Sequence, residues 1–220
     1  MRCSSMNYSL QLQQNALFKD INEADLKDIL SSLYTKTFAK DELIYEQGNC
    51  IDELFVILNG QIEISNYDFN GNKKMVAILS ENDIFAESVA LANVRTTPFD
   101  ITAITPLNVL VIPYTYFFET SSNQLQQNLI RILADKNTFL THKIECISKT
   151  TIKERVFEVL RYYYHKCDSL EIELPYNKTQ LSEYLCVDRS SLTREIKTME
   201  TAGYFKNDRN HYRLNPEYFR

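Results

Sequence analysis

The chain has 220 residues, 44% of them hydrophobic, and a formal net charge of −5, values typical of an ordinary globular protein. No apolar run reaches the roughly 18 residues that a membrane-spanning helix needs, and the N-terminus lacks the apolar core of a signal peptide, so we expect a cytoplasmic protein without membrane contact. The five cysteines form no C-x-x-C pair, which argues against a zinc site and favours free thiols.

The negative charge is unevenly distributed along the chain. Residues 1–150 contain 12 Lys and Arg against 18 Asp and Glu, a net charge of −6, whereas residues 151–220 contain 12 against 11, a net charge of +1. Nucleic-acid binding depends on where cations cluster and not on the total charge. The C-terminal part therefore remains open to a DNA partner.

The N-terminal part begins with a helix and continues as short strands. Apolar residues from Ile21 to Leu33 recur on one face of a helix, which Asn22 caps, with Asp25 three residues later. The following residues, up to Pro113, are rich in β-branched and aromatic side chains. We predict strands in the segments ELIYEQG, ELFVILNGQIEISNY, KKMVAILS, FDITAIT and LNVLVIP.

Turn residues separate these strands. They are Gly48, Asn59-Gly60 and Asn70-Gly71, and Asn-Gly is a strong hairpin signal. Many short strands at this spacing indicate an antiparallel sandwich or roll and not a parallel sheet. We therefore predict that residues 1–113 form an antiparallel roll.

A long helix is predicted after the roll, because apolar residues recur at intervals of three and four. These residues are Leu125, Leu129, Ile132, Leu133, Phe139, Leu140, Ile144 and Ile147. The stripe fits a helix packed on its own domain or a coiled-coil seam between two chains, and Lys136 and Lys143 interrupt it, so both interpretations stay open. Residues 114–149 are assigned to this helix and residues 150–220 to a third segment.

The third segment is predicted to contain two short helices joined by a tight turn. TIKERVFEVLRYYYHK predicts an amphipathic helix and SLEIELPY a strand. Leu181, Tyr184 and Leu185 then belong to a short helix. Cys186 lies in the turn, where we expect a packed side chain, and Asp188 caps a second helix. This order is typical of a helix-turn-helix motif.

The second helix, from Asp188 to Thr201, is predicted to read DNA. Leu192, Ile196 and Met199 would point inward and leave a polar, arginine-bearing face near its N-terminus, and the major groove admits such a helix. The segments YFKND and HYRLN predict a hairpin wing behind it. The predicted DNA contacts are Thr179, Arg189, Ser190, Ser191, Thr193, Arg194, Lys197, Arg209 and Arg213, with Lys206 and His211 as further phosphate contacts.

Two segments, ENDIFAES at 81–88 and LSEYLCVDRSSLTREI at 181–196, carry a resemblance to the CRP/FNR family of bacterial transcription regulators. The resemblance covers residues 15–215. It implies an α+β protein with an effector-sensing, cyclic nucleotide-binding-type β-roll (a double-stranded β-helix), a long dimerisation helix and a C-terminal winged helix-turn-helix. It also implies a homodimer that binds an inverted repeat in double-stranded DNA and contacts RNA polymerase, as an activator does, while the residues leave activation and repression both open.

The chain departs from the cAMP-binding members at the effector loop. Those members have Gly-Glu followed after about ten residues by Arg-Ser, whereas this chain has Ala86-Glu87 followed by Thr97-Pro98, with Arg95 two positions early. Proline offers no backbone N–H to a phosphate, so we expect no tight cyclic nucleotide binding. The resemblance places the effector pocket at Glu87, Ser88, Arg95, Thr96, Thr97, Leu140 and Thr141.

The signal itself stays open. Iron–sulfur members carry a cysteine cluster before the roll, where this chain has only Cys3. We expect no metal or permanent cofactor, while a haem-dependent or nitrosative and redox-stress sensor, an unidentified small-molecule effector, or no ligand remain alternatives. Ser190 stands where family members have a glutamate that accepts a hydrogen bond from cytosine, which puts their usual half-site in doubt.

Two other classes of function compete with a DNA-binding regulator. A cupin-type enzyme needs histidine and carboxylate ligands on its strands, but His142, His165 and His211 all lie outside the predicted roll. No phosphate-binding loop or nucleophile elbow occurs, so we predict no enzyme and no catalytic residue. The second class is a ligand-binding interaction module with a degenerate helix-turn-helix, which a DNA-binding experiment separates from the regulator.

Overall fold

The computed structural model describes residues 9–67 and 73–219. Cys3 and the turn predicted at Asn70-Gly71 lie outside the described residues. No helix in the described ranges combines the length and the apolar character that crossing a membrane requires.

The chain forms two compact units. Unit 1 extends to Leu133, and unit 2 begins at Ala134, so the division falls inside the helix Asn123–Ser148. The domain boundaries predicted at residues 113 and 149 stay a prediction.

Unit 1 consists of short helices and two four-stranded sheets. Its helices are α1 (Ser9–Gln14), α2 (Glu23–Ser31), α3 (Glu87–Ala90), α4 (Tyr116–Glu119) and the first part of α5 (Asn123–Ser148). Its strands are β1 (Tyr34–Phe38), β2 (Leu43–Tyr45), β3 (Glu53–Asn59), β4 (Ile62–Tyr67), β5 (Lys73–Leu79), β6 (Ile84–Phe85), β7 (Asp100–Ala103) and β8 (Leu107–Pro113). The side chain of Asn22 caps α2 by accepting a hydrogen bond from the backbone N–H of Asp25, as predicted.

The two sheets of unit 1 are antiparallel, with strand orders β1-β8-β3-β6 and β2-β7-β4-β5. The turn between β3 and β4 depends on Gly60, which has a φ of +98°. A Cβ atom there would lie 2.4 Å from the carbonyl oxygen of Pro106, so only glycine fits. Strand order and direction confirm the predicted antiparallel roll.

The core of unit 1 is built around β3, whose residues 54–58 are each at most 2% exposed. An uninterrupted apolar run of this kind fits a strand that is covered on both faces. Leu125 and Leu129 of α5 belong to the same core. The side-chain amide of Asn128 donates to the carbonyl oxygens of Leu17 and Lys19, at 3.0 and 2.7 Å. The first part of α5 is therefore packed against unit 1.

Unit 2 contains the second part of α5, three further helices and a three-stranded sheet. The remaining elements are α6 (Ile152–Cys167), β9 (Glu171–Glu173), α7 (Lys178–Tyr184), α8 (Arg189–Thr201), β10 (Phe205–Asp208) and β11 (His211–Leu214). The sheet order is β10-β11-β9, with antiparallel pairing throughout. Apolar side chains of α6, α8 and this sheet share one core. This arrangement confirms the predicted winged helix-turn-helix fold.

Candidate nucleic-acid interface

Helices α7 and α8 form the helix-turn-helix. The side chain of Asn177 caps α7 by accepting hydrogen bonds from the backbone N–H groups of Thr179 and Gln180, at 2.9 and 3.0 Å. The side-chain oxygen of Gln180 in turn accepts from the backbone N–H of Asn177 at 2.9 Å, which completes a capping box. The start of the motif is thereby fixed, and the side chain of Thr179 is left exposed.

The turn between the two helices differs from expectation at Cys186. Its backbone adopts a left-handed conformation with a φ of +53°, and the residue is exposed. The expected packed cysteine was therefore wrong. Leu185, which is fully buried, and Val187, which packs against the core of unit 2, fill this corner instead.

Helix α8 has a buried face and a polar face. Leu192, Ile196 and Met199 are at most 2% exposed and hold the helix against the core of unit 2. Successive helical residues are turned by about 100°, so Ser190 and Arg194 lie next to each other on the opposite side. The exposed residues around them, called the reading face below, are Ser190, Thr193, Arg194 and Lys197.

Asp188 fixes the N-terminus of α8, as predicted. Its Oδ1 atom accepts hydrogen bonds from the Ser190 hydroxyl at 2.6 Å, from the Ser191 backbone N–H at 2.9 Å and from the Ser191 hydroxyl at 3.1 Å. These bonds lower the pKa of Asp188 to about 2, and the bond from Ser190 contributes most. The carboxylate is therefore ionised at any physiological pH.

The cations of α8 form no ion pair with a carboxylate of the described residues. Arg189, at the edge of the reading face, and Arg194 and Lys197, within it, are exposed and have no side-chain partner among residues 9–67 and 73–219. Arginines of α6 behave differently. Arg155 donates to two backbone carbonyl groups, and Arg161 pairs with Glu158 at 2.8 Å. The exposed side of α8 thus carries three cations that have no carboxylate partner among the described residues.

Strands β10 and β11 form the wing, and Arg209 lies in the turn that joins them. Arg209 is exposed, with a φ of +56°, and the side-chain amide of Asn207 donates to its carbonyl oxygen at 2.9 Å. The Arg209 guanidinium has no partner in the described part of the chain. It is therefore free to meet a phosphate at the tip of the wing.

The exposed face of the wing sheet carries charges of both signs. Arg213 donates from Nε to a carboxylate oxygen of Glu171 at 2.9 Å, across the β9–β11 pair. Lys206 shares this face with Glu173 and Asp208, so three carboxylates accompany two cations. A phosphate contact by Arg213 stays a prediction. It requires that the ion pair between Arg213 and Glu171 is broken.

The predicted effector loop is found at the start of α3. Ala86, at the position where the cAMP-binding members have glycine, adopts a φ of +66°, a conformation that glycine adopts freely and alanine rarely does. Glu87 is buried at 2% exposure, and its carboxylate accepts a hydrogen bond from the Ser88 hydroxyl at 3.1 Å. Ser88 itself and Thr96 are exposed.

Arg95 and Thr97, the residues nearest to the family's phosphate-holding pair, are already bonded to the protein. A guanidinium nitrogen of Arg95 lies 3.0 Å from a carboxylate oxygen of Asp52, and the guanidinium lies 4.3 Å from the centre of the Tyr114 ring. The Thr97 hydroxyl donates to the carbonyl of Phe99 at 2.9 Å and accepts from its N–H at 3.1 Å. A phosphate at this segment would have to displace these contacts.

Helix α5 presents an apolar face that the described chain leaves exposed. Leu140 and Ile144 are 55% and 64% exposed. Together with the exposed Asn137 and the half-exposed Ile147, they recur at intervals of three and four residues. This set, called the outer face of α5, has the a and d spacing of a coiled coil. Thr141, predicted with Leu140 to line the effector pocket, is exposed beside it.

The sequence prediction for α5 mixed two faces. It combined Leu140 and Ile144 with Leu125 and Leu129, which belong to the core of unit 1. It did not include Asn137, which lies on the outer face. The spacing of residues 137, 140, 144 and 147, at intervals of three and four, is the sequence signal that places them on one face.

The opposite side of α5 in unit 2 carries His142 and Cys146. His142 Nδ1 lies 3.1 Å from the hydroxyl of Tyr184 in α7, and its ring stacks on Tyr162 of α6 with centroids 4.0 Å apart. The Cys146 sulfur lies 3.3 Å from His142 Nε2. Burial lowers the pKa of His142 and raises that of Cys146 to about 12, so Cys146 remains a thiol and not a reactive thiolate.

Neither a metal site nor a disulfide is formed by the described residues. They include no group of three or more His, Cys, Asp or Glu side chains that could hold a metal ion. Cys50, Cys167 and Cys186 are free and exposed, and these are the thiols accessible to an oxidant in residues 9–67 and 73–219.

Comparison with known proteins identifies the roll. Residues 35–124 match the cyclic nucleotide-binding domain family. The cAMP-dependent protein kinase regulatory subunit of Candida albicans is 32% identical over 99 residues, which are 45% of this chain. The match spans only 20% of that subunit, so the likeness concerns a part of each protein.

Comparison with solved structures covers almost the whole chain. The catabolite activator protein of Thermus thermophilus has a TM-score of 0.57 at 14% identity, over 91% of this chain and 94% of that chain. A variant of CooA from Carboxydothermus hydrogenoformans also has a TM-score of 0.57, at 16% identity, over 89% of this chain and 92% of that chain. Residues 35–124 therefore match the cyclic nucleotide-binding domain family, and the chain has the fold of the CRP/FNR regulators, the family that its sequence resembles.

Proposed function

We propose that this protein is a sequence-specific DNA-binding transcription regulator and not an enzyme. It binds an inverted repeat in double-stranded DNA as a homodimer and contacts RNA polymerase as an activator. The observation that carries the proposal is the reading face of α8, which combines exposed hydroxyls with Arg194 and Lys197, cations that no carboxylate of the described residues neutralises. A helix with such a face at its N-terminus suits the major groove of DNA.

Binding selection from a random pool of double-stranded DNA tests the proposal. A two-fold dimer should enrich an inverted repeat whose half-sites lie one helical turn apart, roughly 10 base pairs from centre to centre. Enrichment of a single half-site would contradict the dimer. A pool that stays random would favour the ligand-binding module with a degenerate motif. Transcription in vitro from the enriched site with purified RNA polymerase tests activation.

The contacts divide by chemistry. Arginine suits guanine, whereas hydroxyls and lysine suit base edges or phosphates. We assign Arg194, Arg189 and Ser190 to bases and Ser191, Thr193 and Lys197 to base edges or phosphates. Thr179, at the start of α7, is assigned to a phosphate.

The dimer is proposed to form through the outer face of α5. Leu140 and Ile144 are large apolar side chains in water, and burying each against a second copy contributes about 1.5–3 kcal/mol. Asn137 occupies an a position, where one polar residue specifies two parallel strands in register. Parallel, in-register helices suit a two-fold dimer that presents two reading faces to one inverted repeat.

The wing is expected to contribute through Arg209 more than through Arg213. Arg209→Ala should weaken binding about equally to all sequences and lower the slope of log affinity against log salt by about one, because one phosphate contact is lost. Arg213→Ala, the matched control, should change the slope less, since Arg213 already pairs with Glu171. Fluorescence anisotropy between 50 and 200 mM salt measures both slopes. Equal slopes for the two variants would contradict this assignment.

The signal is proposed to differ from a cyclic nucleotide. Thr97 is bonded to Phe99, and Pro98 offers no backbone N–H, so these two positions, where the cAMP-binding members have Arg-Ser, offer no free donor to a cyclic phosphate. Titration calorimetry at millimolar cAMP should show little heat. Asp52→Asn, which removes the ion pair of Arg95, should not restore binding. A micromolar dissociation constant for the natural protein would contradict the proposal.

A further inference from the structure

The hydroxyl of Ser190 has only one hydrogen-bonding role left to offer a ligand. It is exposed on the reading face, and it donates its proton to Asp188 Oδ1 at 2.6 Å. A serine hydroxyl has one proton and two lone pairs. With the proton committed to Asp188, the oxygen presents lone pairs alone to anything that approaches the reading face.

Asp188 favours this direction of the Ser190 proton. An ionised carboxylate accepts hydrogen bonds and cannot donate one, and the low pKa of Asp188 keeps it ionised. The same oxygen accepts two further bonds from Ser191, so Asp188 is held in place as the cap of α8. The Ser190 proton therefore has a fixed acceptor, and a hydrogen bond to an ionised group is stronger than one between neutral groups.

We propose that Ser190 selects a base that offers an exocyclic amino group in the major groove, cytosine N4 or adenine N6, by acting only as a hydrogen-bond acceptor. The assignment rests on the DNA-binding function proposed above. Guanine O6 and N7 and thymine O4 are acceptors, and they cannot bond to an oxygen that has no proton to give. Ser190 therefore excludes guanine and thymine on the strand that it contacts.

Arg194, one helical turn away on the reading face, has the opposite chemistry. Its guanidinium only donates, and it bonds best to guanine O6 and N7. Ser190 and Arg194 thus offer an acceptor next to a donor on the same face of α8. The pair predicts a half-site in which a guanine lies close to a cytosine or adenine contacted by Ser190.

Binding selection with serine variants tests the assignment. The natural protein should enrich one base pair, in one orientation, at one position of each half-site, and whether it is a C·G or an A·T pair distinguishes the two amino groups. Ser190→Ala should lower that preference by about 2- to 12-fold, the range for one neutral hydrogen bond. Ser190→Thr, which keeps the hydroxyl, should retain it. Thr198→Ala is the matched control and should leave the preference unchanged, because it also removes an exposed hydroxyl of α8, one that donates to the carbonyl oxygen of Arg194 at 3.0 Å and has no assigned DNA contact.

Asp188→Asn provides a second measurement. The amide oxygen of asparagine still caps the helix and still accepts the Ser190 proton, so the base preference should persist. Asp188→Ala releases that proton and should allow guanine or thymine at the same position. Thermal unfolding of each variant checks that α8 remains folded.

The outcomes separate this assignment from the proposed function. If the natural protein enriches a motif and Ser190→Ala enriches the same motif with equal stringency, Ser190 is not a base reader and the assignment is overturned. Replacing the cytosine or adenine of that base pair by an analogue without the exocyclic amino group, 2-pyrimidinone or purine, should lower the affinity of the natural protein, and an unchanged affinity overturns the assignment as well. If the natural protein enriches no motif, the DNA-binding function itself fails.

Discussion

Replacing Arg194 by alanine should weaken binding to the preferred DNA site by about 1–3 kcal/mol and relax the choice of base at one position of each half-site. Arg194 lies opposite to the buried side chains of α8, and its guanidinium has no partner in the described residues, so no internal bond competes with a guanine. Binding selection with the natural protein and the variant, followed by titration of the enriched site, measures both effects.

Arg189→Ala is the matched control for Arg194. It removes the same charge from the same helix, but its position is turned by about 100° from Ser190, at the edge of the reading face. We expect a loss of affinity with a smaller loss of base preference. Equal stringency for the natural protein and Arg194→Ala would show that Arg194 is not the base reader, and the orientation of α8 on DNA would have to be revised.

Two glutamates on the outer face of α5, Leu140→Glu with Ile144→Glu, should give monomers. Both side chains are exposed in the single chain, so the change leaves the fold of unit 2 intact while four carboxylates would face one another in a dimer. Loss of the second half-site should lower affinity for an inverted repeat by about 10²- to 10⁴-fold. Sedimentation velocity measures the mass, and anisotropy measures the affinity.

Thr138→Glu is the control for the dimer prediction. Thr138 is exposed on α5 but lies away from the outer face, so the new charge should leave the dimer intact. Ile132 and Phe139, which also belong to the predicted apolar stripe, are less suitable positions for a charge substitution that tests the dimer. Ile132 packs against the core of unit 1, and the Phe139 ring lies 5.7 Å from that of Tyr184. A stable dimer of the double variant would place the interface elsewhere.

The sequence predicted what depends on neighbours along the chain. Strand period and Asn-Gly turns predicted the roll, because alternation and turn chemistry are local. Asp188 was recognisable as a cap because an N-cap acts within three residues. The helix-turn-helix followed from the apolar spacing of α7 and α8.

Contacts between segments that are distant along the chain could not be predicted from the sequence. Glu171 and Arg213 are 42 residues apart, and only the β9–β11 pairing shows that they meet. The bond of Arg95 to Asp52 likewise depends on how the roll closes. The direction of the Ser190 proton depends on a rotamer that composition does not specify. These contacts decide which of the predicted site residues are free to meet a ligand.

The helical segment of α5 from Asn137 to Ile147 has two functional sides, one proposed for dimer formation and one in contact with α7. Its outer face exposes Leu140 and Ile144, while its other side holds His142 against Tyr184 of α7. Backbone hydrogen bonds between successive turns prevent the two sides from rotating independently. A tilt or rotation of this segment is therefore transmitted directly to α7 through the contact between His142 and Tyr184. Mutations that retune self-association will, for the same reason, rarely be silent in DNA recognition.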